Sequence, residues 1–127
     1  MDCVQIGPAT SQISLCPGRS AASPVHVSIA AGPFHGSFGA EVDIRIFRNA
    51  LERMYETLDG TAGLRSADGS LDVELIGNGT GRIRMKALAR PMKSGELRFT
   101  ADIDQSALPL ILSAIDRLFL SSPNEPD

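Results

Sequence analysis

Residues 77–81, with the sequence GNGTG, have the composition of a loop that could bind phosphate. Glycine-rich loops hold phosphate when they lead from a strand into a helix, because the helix N-terminus adds N–H donors and a positive dipole. Here the following residues, RIRMKAL at 82–88, alternate like a strand, and no GK[ST] triplet appears. The run therefore predicts a hairpin turn and not a phosphate site.

The segments on either side of this turn carry alternating charges. A register that pairs Gly77 with Gly81 aligns apolar side chains on one face and opposite charges on the other. The predicted charged pairs are Glu74 with Arg84 and Asp72 with Lys86. Such cross-strand pairs contribute a few tenths to about 1 kcal/mol each. The predicted loop is then Asn78-Gly79-Thr80.

Charged residues of three predicted strands form the candidate binding surface. These residues are Asp72, Glu74, Arg82, Arg84, Lys86 and Arg98. A mixed-charge sheet face usually contacts only solvent, but it is also the kind of surface that steers a protein partner. Both interpretations stay open at this point.

Histidines and paired carboxylates are the remaining candidates for catalysis. His26 and His35 have no neighbouring nucleophile or second histidine cluster, so neither is predicted to be a general base. Asp102 and Asp104 share one side of a strand, where they could bind a cation. The favoured interpretation is a solvated face plus a residue that helps to cap the next helix. No cofactor, metal site or catalytic residue is predicted.

The cysteines Cys3 and Cys16 are the only two in the chain. The N-terminus has neither a basic segment nor a long apolar stretch, so a cytoplasmic protein with two free thiols is expected. A hairpin that pairs Val4 with Leu15 would nevertheless place the two cysteines opposite each other. A disulfide is therefore the alternative.

Length and charge limit the class of protein. The chain has 127 residues, which suits a single domain, here residues 1–120 followed by a frayed tail at 121–127. The net charge of −3 and the isoelectric point of about 5.3 argue against nucleic-acid binding, which needs a basic face. No run of 18 apolar residues exists, so no membrane-spanning helix is expected.

Hydrophobic periodicity predicts an α+β fold. We expect an antiparallel sheet of about six to seven strands with two helices on one face, in the order β-β-β-α-β-β-β-β-α. The first helix is capped by Asp43, has Tyr55 in its apolar stripe and ends with Gly60 at the position after the C-cap. The second starts near Ser106, which places Pro109 in its first turn.

After residue 43, several structural features follow one another in the order found in a known protein family. Residues 58–60 (LDG) close the first helix, the glycines at 79–81 precede the RIRMKA strand, and residues 104–106 (DQS) precede the last helix. This order resembles the WapI-type immunity proteins of bacterial polymorphic-toxin systems over residues 43–120, whereas residues 1–42 add nothing to it. The resemblance implies a cytoplasmic, non-enzymatic protein that binds and neutralises one cognate toxin domain. It carries over no binding residue.

Two other functions remain open from the sequence. One is a small enzyme or ligand-binding protein that uses a pocket between the N-terminal strands and the helices. The other is a homodimeric scaffold joined through an edge strand or an exposed helix face. A binding protein of immunity type is favoured, because no base and nucleophile are paired.

Overall fold

Eight strands and two helices follow one another in the computed structural model, which describes residues 3–20, 23–90 and 95–120. The strands are β1 (Val4–Ile6), β2 (Ser11–Ser20), β3 (Ser23–Ala31), β4 (Phe34–Ala40), β5 (Asp59–Arg65), β6 (Leu71–Asn78), β7 (Arg82–Ala89) and β8 (Leu97–Asp104). The helices are α1 (Ile44–Thr57), between β4 and β5, and α2 (Leu108–Ile115), after β8. A 3₁₀ turn (Gln105–Ala107) precedes α2, and a π turn (Asp116–Leu120) follows it. The tail predicted at 121–127 lies outside the described residues.

The strands form two antiparallel sheets of four strands each, in the orders β1-β2-β3-β4 and β5-β6-β7-β8. The α+β class is confirmed, but the single sheet of six to seven strands was wrong. All sheet neighbours are consecutive in the chain, and α1 separates the two sets of four strands. An isolated bridge pairs Val42, which lies between β4 and α1, with Ser66, which directly follows β5.

The inner faces of both sheets and the apolar sides of both helices form one hydrophobic core. Alternation along each strand sends every second side chain inward, as β6 shows with Leu71, Val73 and Leu75, all 0% exposed. Full burial of an aliphatic side chain of this size contributes about 1.5–3 kcal/mol. Within the described residues, neither helix is long and apolar enough to span a membrane.

Helix α1 begins as predicted and ends earlier. Asp43 accepts a hydrogen bond from the N–H of Ile46 at 3.1 Å. The left-handed residue at its end is Leu58, with φ 59°, whereas Gly60 already belongs to β5 and lies opposite Gly77. The prediction of Gly60 as the helix-ending residue was therefore wrong, because the turn is completed at Leu58 and the chain becomes extended at once.

The apolar stripe of α1 is narrower than predicted. Phe47, Leu51 and Met54 are buried, but Tyr55 is 42% exposed. Each helical residue is rotated by about 100° from the one before, which turns Tyr55 away from the direction of Met54. The assignment of Tyr55 to the core was wrong.

Asp104 starts the second helical segment. Its carboxylate accepts from the N–H of Ser106 at 3.0 Å, and the 3₁₀ turn then leads into α2. Asp104 thus caps the 3₁₀ turn, which confirms its capping role, whereas the N-cap position of α2 itself is Ala107, one residue from the predicted Ser106. Pro109 lies in the first turn of α2, where its missing N–H needs no partner.

An ion pair joins the two helical segments. The Arg48 guanidinium on α1 donates to both carboxylate oxygens of Asp116, at 2.9 Å and 3.2 Å, and also to Glu52 at 2.6 Å. The hydrogen bond with Asp116 raises the pKa of Arg48 above its ordinary value. Both carboxylates are half-exposed, so the pair contributes no more than about 1 kcal/mol. It connects α1 to Asp116, the residue that follows α2.

A disulfide joins Cys3 to Cys16, with 4.4 Å between the two Cα atoms. Val4 lies opposite Leu15 and Ile6 opposite Ile13, so the predicted hairpin register is confirmed. The favoured interpretation of two free thiols was wrong. The strand register brings the two cysteines within bonding distance. The prediction gave more weight to the expected reducing compartment than to this geometry.

The turn between β5 and β6 is built around one carboxylate. Asp68 accepts hydrogen bonds from the Ser70 hydroxyl at 2.7 Å, the Ser70 N–H at 3.0 Å and the Ser66 hydroxyl at 2.9 Å. These bonds lower the pKa of Asp68, with the Ser70 hydroxyl as the largest cause. Ser66 and Ser70 are themselves buried, so the charged form of Asp68 satisfies hydroxyls that have little access to water.

We expect Asp68→Asn to lower the melting temperature at pH 7 and to have little effect in strong acid. A lowered pKa in the folded state means that ionised Asp68 stabilises the fold above the ordinary pKa of 3.8. That contribution is lost as the pH falls through the lowered pKa. Melting temperatures of both proteins from pH 7 to pH 2 test this, with Ser70→Ala as a second variant that weakens the same pH dependence. A difference between wild type and Asp68→Asn that is unchanged at pH 2 contradicts the explanation.

Candidate functional site

The outer side of the second sheet carries the predicted candidate residues. Asp72 and Glu74 on β6, Arg82, Arg84 and Lys86 on β7, and Arg98 on β8 all point away from the core. We call these six residues the charged face. The inward alternation of their neighbours fixes this orientation, since successive strand residues point to opposite sides. The structure thus brings the predicted set together on one surface.

The register across the charged face differs from the predicted one. Glu74 lies opposite Lys86 and not Arg84, and Asp72 lies opposite Leu88. The shift is two residues, so each side chain keeps its predicted side and only its cross-strand neighbour changes. Apolar residues pair on the inner side in either register, so the hydrophobic pattern did not distinguish the two.

Turn chemistry sets the register. The loop between β6 and β7 is Gly79-Thr80-Gly81, one residue later than predicted, and both glycines have positive φ, 81° and 94°. The Asn78 side chain accepts from the N–H of Thr80 at 2.9 Å and from its hydroxyl at 2.6 Å. This side-chain turn keeps Asn78 in the strand and moves the bend onto the two glycines.

The glycine-rich loop is held by the protein itself. The N–H of Gly79 donates to the carbonyl of Leu58 at 2.6 Å, and the carbonyl of Gly81 accepts from the N–H of Gln105 at 2.8 Å. The loop therefore contacts the end of α1 and the start of the 3₁₀ turn. A strand, β7, follows it. The prediction of a structural hairpin is confirmed.

Ion pairs cross the charged face and extend it by two residues. Arg84 lies 3.5 Å from Asp102 on β8, and Asp72 lies 3.2 Å from Arg65 on β5. Arg65 was missed because its short predicted strand, TAGLRS, shows only one charge. Asp102 had been interpreted as solvated, and its alternation with Ala101 and Ile103 was the signal for its outward position.

The charged face combines exposed charges with apolar area. Arg84 and Arg98 have side chains 62% and 71% exposed, and such exposed pairs add little stability. Ile76 and Leu88 point to the same side and are half-buried among the charged side chains. The core of a protein interface is apolar and its rim is polar, so these two side chains are the part of this surface best suited to burial by a partner. A surface of mixed sign also fits a protein better than a polyanion.

The histidines lie elsewhere and apart from each other. His26 pairs with Gly39 and His35 pairs with Ala30, so they lie in different cross-strand positions of the first sheet, and both are exposed. In the described ranges, no three His, Cys, Asp or Glu side chains are placed to hold a metal ion. The structure therefore brings Asp102 against the charged face and leaves the two histidines apart from it.

Comparison with models of known protein families shows which family the chain belongs to. The model of the Immunity protein WapI-like family matches residues 20–123. The chain belongs to this family. The WapI-like match contains all six residues of the charged face and also β3 and β4, so the expectation that residues 1–42 add nothing was wrong for residues 20–42. No curated protein matches the chain.

Proposed function

We propose that the protein is an immunity protein that binds a cognate toxin domain and neutralises it, and that the charged face is the binding surface. Membership of the WapI-like immunity family is the observation that carries the proposal. A protein that neutralises a toxin by binding to its surface needs a stable, specific contact and no catalytic group. The absence of a paired base and nucleophile in the sequence is consistent with that mode of action.

The chemistry of the charged face supports tight and selective binding. Exposed charges of both signs steer a complementary partner and penalise a wrong one through like-charge contacts. The half-buried Ile76 and Leu88, which lie on either side of the Glu74–Lys86 pair, supply apolar area whose burial would add affinity. We expect the association rate to fall with rising salt, because salt screens exposed charges.

Identification of the toxin is the first experiment. The tagged protein is purified from its native host, and proteins that copurify are identified by mass spectrometry. We expect a toxin domain in near-equal amount, and we expect coexpression of this protein to restore growth of cells that express that domain. A purified complex without growth protection, or no complex from cells that express such toxins, contradicts the proposed function.

A charge swap tests the binding surface. Glu74→Lys combined with Lys86→Glu keeps the net charge and the cross-strand pair but reverses the local pattern. We expect the dissociation constant for the toxin domain to rise more than about tenfold, which corresponds to 1.4 kcal/mol. The melting temperature should stay close to that of wild type, because the two opposite charges still face each other.

A matched swap on α1 provides the control. Arg53→Glu with Glu56→Arg exchanges two exposed charges of one helix, away from the charged face. Calorimetric titration of both swapped proteins should show weaker binding only for the pair on the sheet. Equal affinity of wild type and the Glu74/Lys86 swap would place the interface elsewhere.

A further inference from the structure

The edges of the two sheets are protected to different degrees. β1 is three residues long, and β5 packs against α1. β8 carries Arg98, Asp102 and Asp104 along its length. Short length, a covering helix and charged side chains are the usual means by which an edge strand avoids pairing with another chain.

β4 has none of these protections. Its seven residues, FHGSFGA, contain neither an acidic or basic residue of permanent charge nor proline, and all seven pair with β3. In the part of the chain that the structure describes, no strand pairs with its other side. Phe34 is 61% exposed, so this edge presents both unpaired backbone and an aromatic side chain.

An apolar groove lies beside β4. It has a volume of about 340 Å³ and is lined on one side by Ile29, Phe34 and Phe38 and on the other by Leu97 of the second sheet. The groove reaches Gly36, where an added Cβ atom would meet nothing within 4 Å. Gly36 has no positive φ, so its backbone does not require glycine. The missing side chain leaves an open space in an apolar surface.

The sequence of β4 is complementary to itself. In an antiparallel pair with a two-fold axis at Ser37, Phe38 of one copy lies opposite Gly36 of the other. Phe34 then lies opposite Ala40. Each large side chain therefore meets a small one on the same side of the sheet. This register also pairs all seven residues, whereas a shift in either direction leaves residues unpaired and places like-sized residues opposite each other.

We infer that the protein forms a two-fold homodimer by pairing of β4 with β4 of a second copy. The two first sheets then become one sheet of eight strands. Phe38 of each copy covers Gly36 of the other and enters the groove, an arrangement in which an aromatic ring shields a strand glycine. An uncharged strand approaches its own copy without like-charge repulsion, and Glu41 lies opposite Pro33.

The inference does not depend on the proposed function, since the charged face belongs to the other sheet. A pairing of seven residues with four aromatic rings is a small interface, so we expect association in roughly the micromolar range. Sedimentation velocity over a concentration series should show a mass that rises from 13.5 kDa toward twice that value. A mass that stays at 13.5 kDa throughout overturns the inference.

Gly36→Val is the decisive variant. The side chain fits the single copy, where the space is open, but occupies the position of Phe38 from the second copy. We expect the dimer dissociation constant to rise more than about tenfold while the melting temperature stays equal or increases. Gly63→Val is the control, since Gly63 is an exposed edge-strand residue of β5 whose added Cβ would make only an ordinary contact at 3.9 Å. Equal weakening by both variants, or by neither, contradicts the inference.

Hydrogen exchange locates the contact. Amides of Phe34–Ala40 should exchange more slowly at high protein concentration than at low concentration, while those of β8 should not change. A dimer that protects a different segment overturns pairing through β4.

Discussion

Replacing Phe47 with alanine should lower the free energy of unfolding by about 3–5 kcal/mol. The side chain is 0% exposed and is among the largest that the core contains. It lies on the same side of α1 as Leu51 and Met54, which are also buried. Removal of the ring leaves a cavity, because rigid strands and helices around it relax only in part.

Urea unfolding followed by circular dichroism measures this effect. A domain of this size has a stability of about 5–15 kcal/mol, so the variant should unfold at a much lower urea concentration. Ile46→Ala is the matched control, because Ile46 is the adjacent residue and is 64% exposed. Its N–H bond to Asp43 survives the substitution, and we expect a change within about 0.5 kcal/mol. Similar losses for both variants would contradict the assignment of Phe47 to the core.

Replacing Cys3 with serine should lower the free energy of unfolding by about 3 kcal/mol, the value expected for closure of a loop of about 15 residues. The disulfide spans a sequence separation of 13 and joins β1 to β2. β1 has only three residues, yet Val4 and Ile6 are both fully buried. The bond therefore limits the freedom of a segment whose own backbone pairing is short.

Comparison with reductant separates the bond from the residue. Reduced wild type and Cys3→Ser should unfold at similar urea concentrations, and the variant itself should not respond to reductant. Intact-mass measurement should show two hydrogens fewer in the oxidised wild type than in the reduced protein. Oxidised wild type that gains no stability over its reduced form would contradict a stabilising disulfide.

Local patterns in the sequence predicted which side of each strand is buried. Leu71, Val73 and Leu75 alternate with other residues along β6. Because one side of the strand is buried, the apolar residues must lie on that side. Register was a different problem, because two alignments of β6 and β7 both satisfy that alternation. The side-chain turn at Asn78 and the positive φ of Gly81 decide between them, and these depend on hydrogen bonds that alternation does not encode.

Sheet number could not be read from the sequence either. Each strand shows a buried side, but nothing in its pattern says whether the strand after a helix rejoins the earlier sheet. The chain passes from β4 through α1 to β5, and in the described ranges one isolated bridge, Val42 with Ser66, lies outside the two sheets. The division into two sheets is a tertiary outcome.

The candidate surface was more predictable than its role. Alternation alone predicted that Glu74, Arg84 and Lys86 lie on one side of the sheet. Arg65 was not predicted, because its strand contains too few charged residues to show a charged side. Exposed charges on a sheet look the same whether they contact solvent or a partner. The proposed function therefore rests on family membership, and the proposed binding surface rests on exposure and on the half-buried apolar residues within it.

The segment that matches the WapI-like family model does not contain the whole hydrophobic core. The match begins at residue 20, the last residue of β2, so β1 and nearly all of β2 precede it. Those strands supply four fully buried side chains, Val4, Ile6, Ile13 and Leu15. A fragment that begins at the family boundary would lack the strand that pairs with one side of β3. It would also lack the four buried side chains that cover one side of the core. Val4, Ile6, Ile13 and Leu15 thus belong to the same hydrophobic core as the matched segment, and a cut at the family boundary would divide that core.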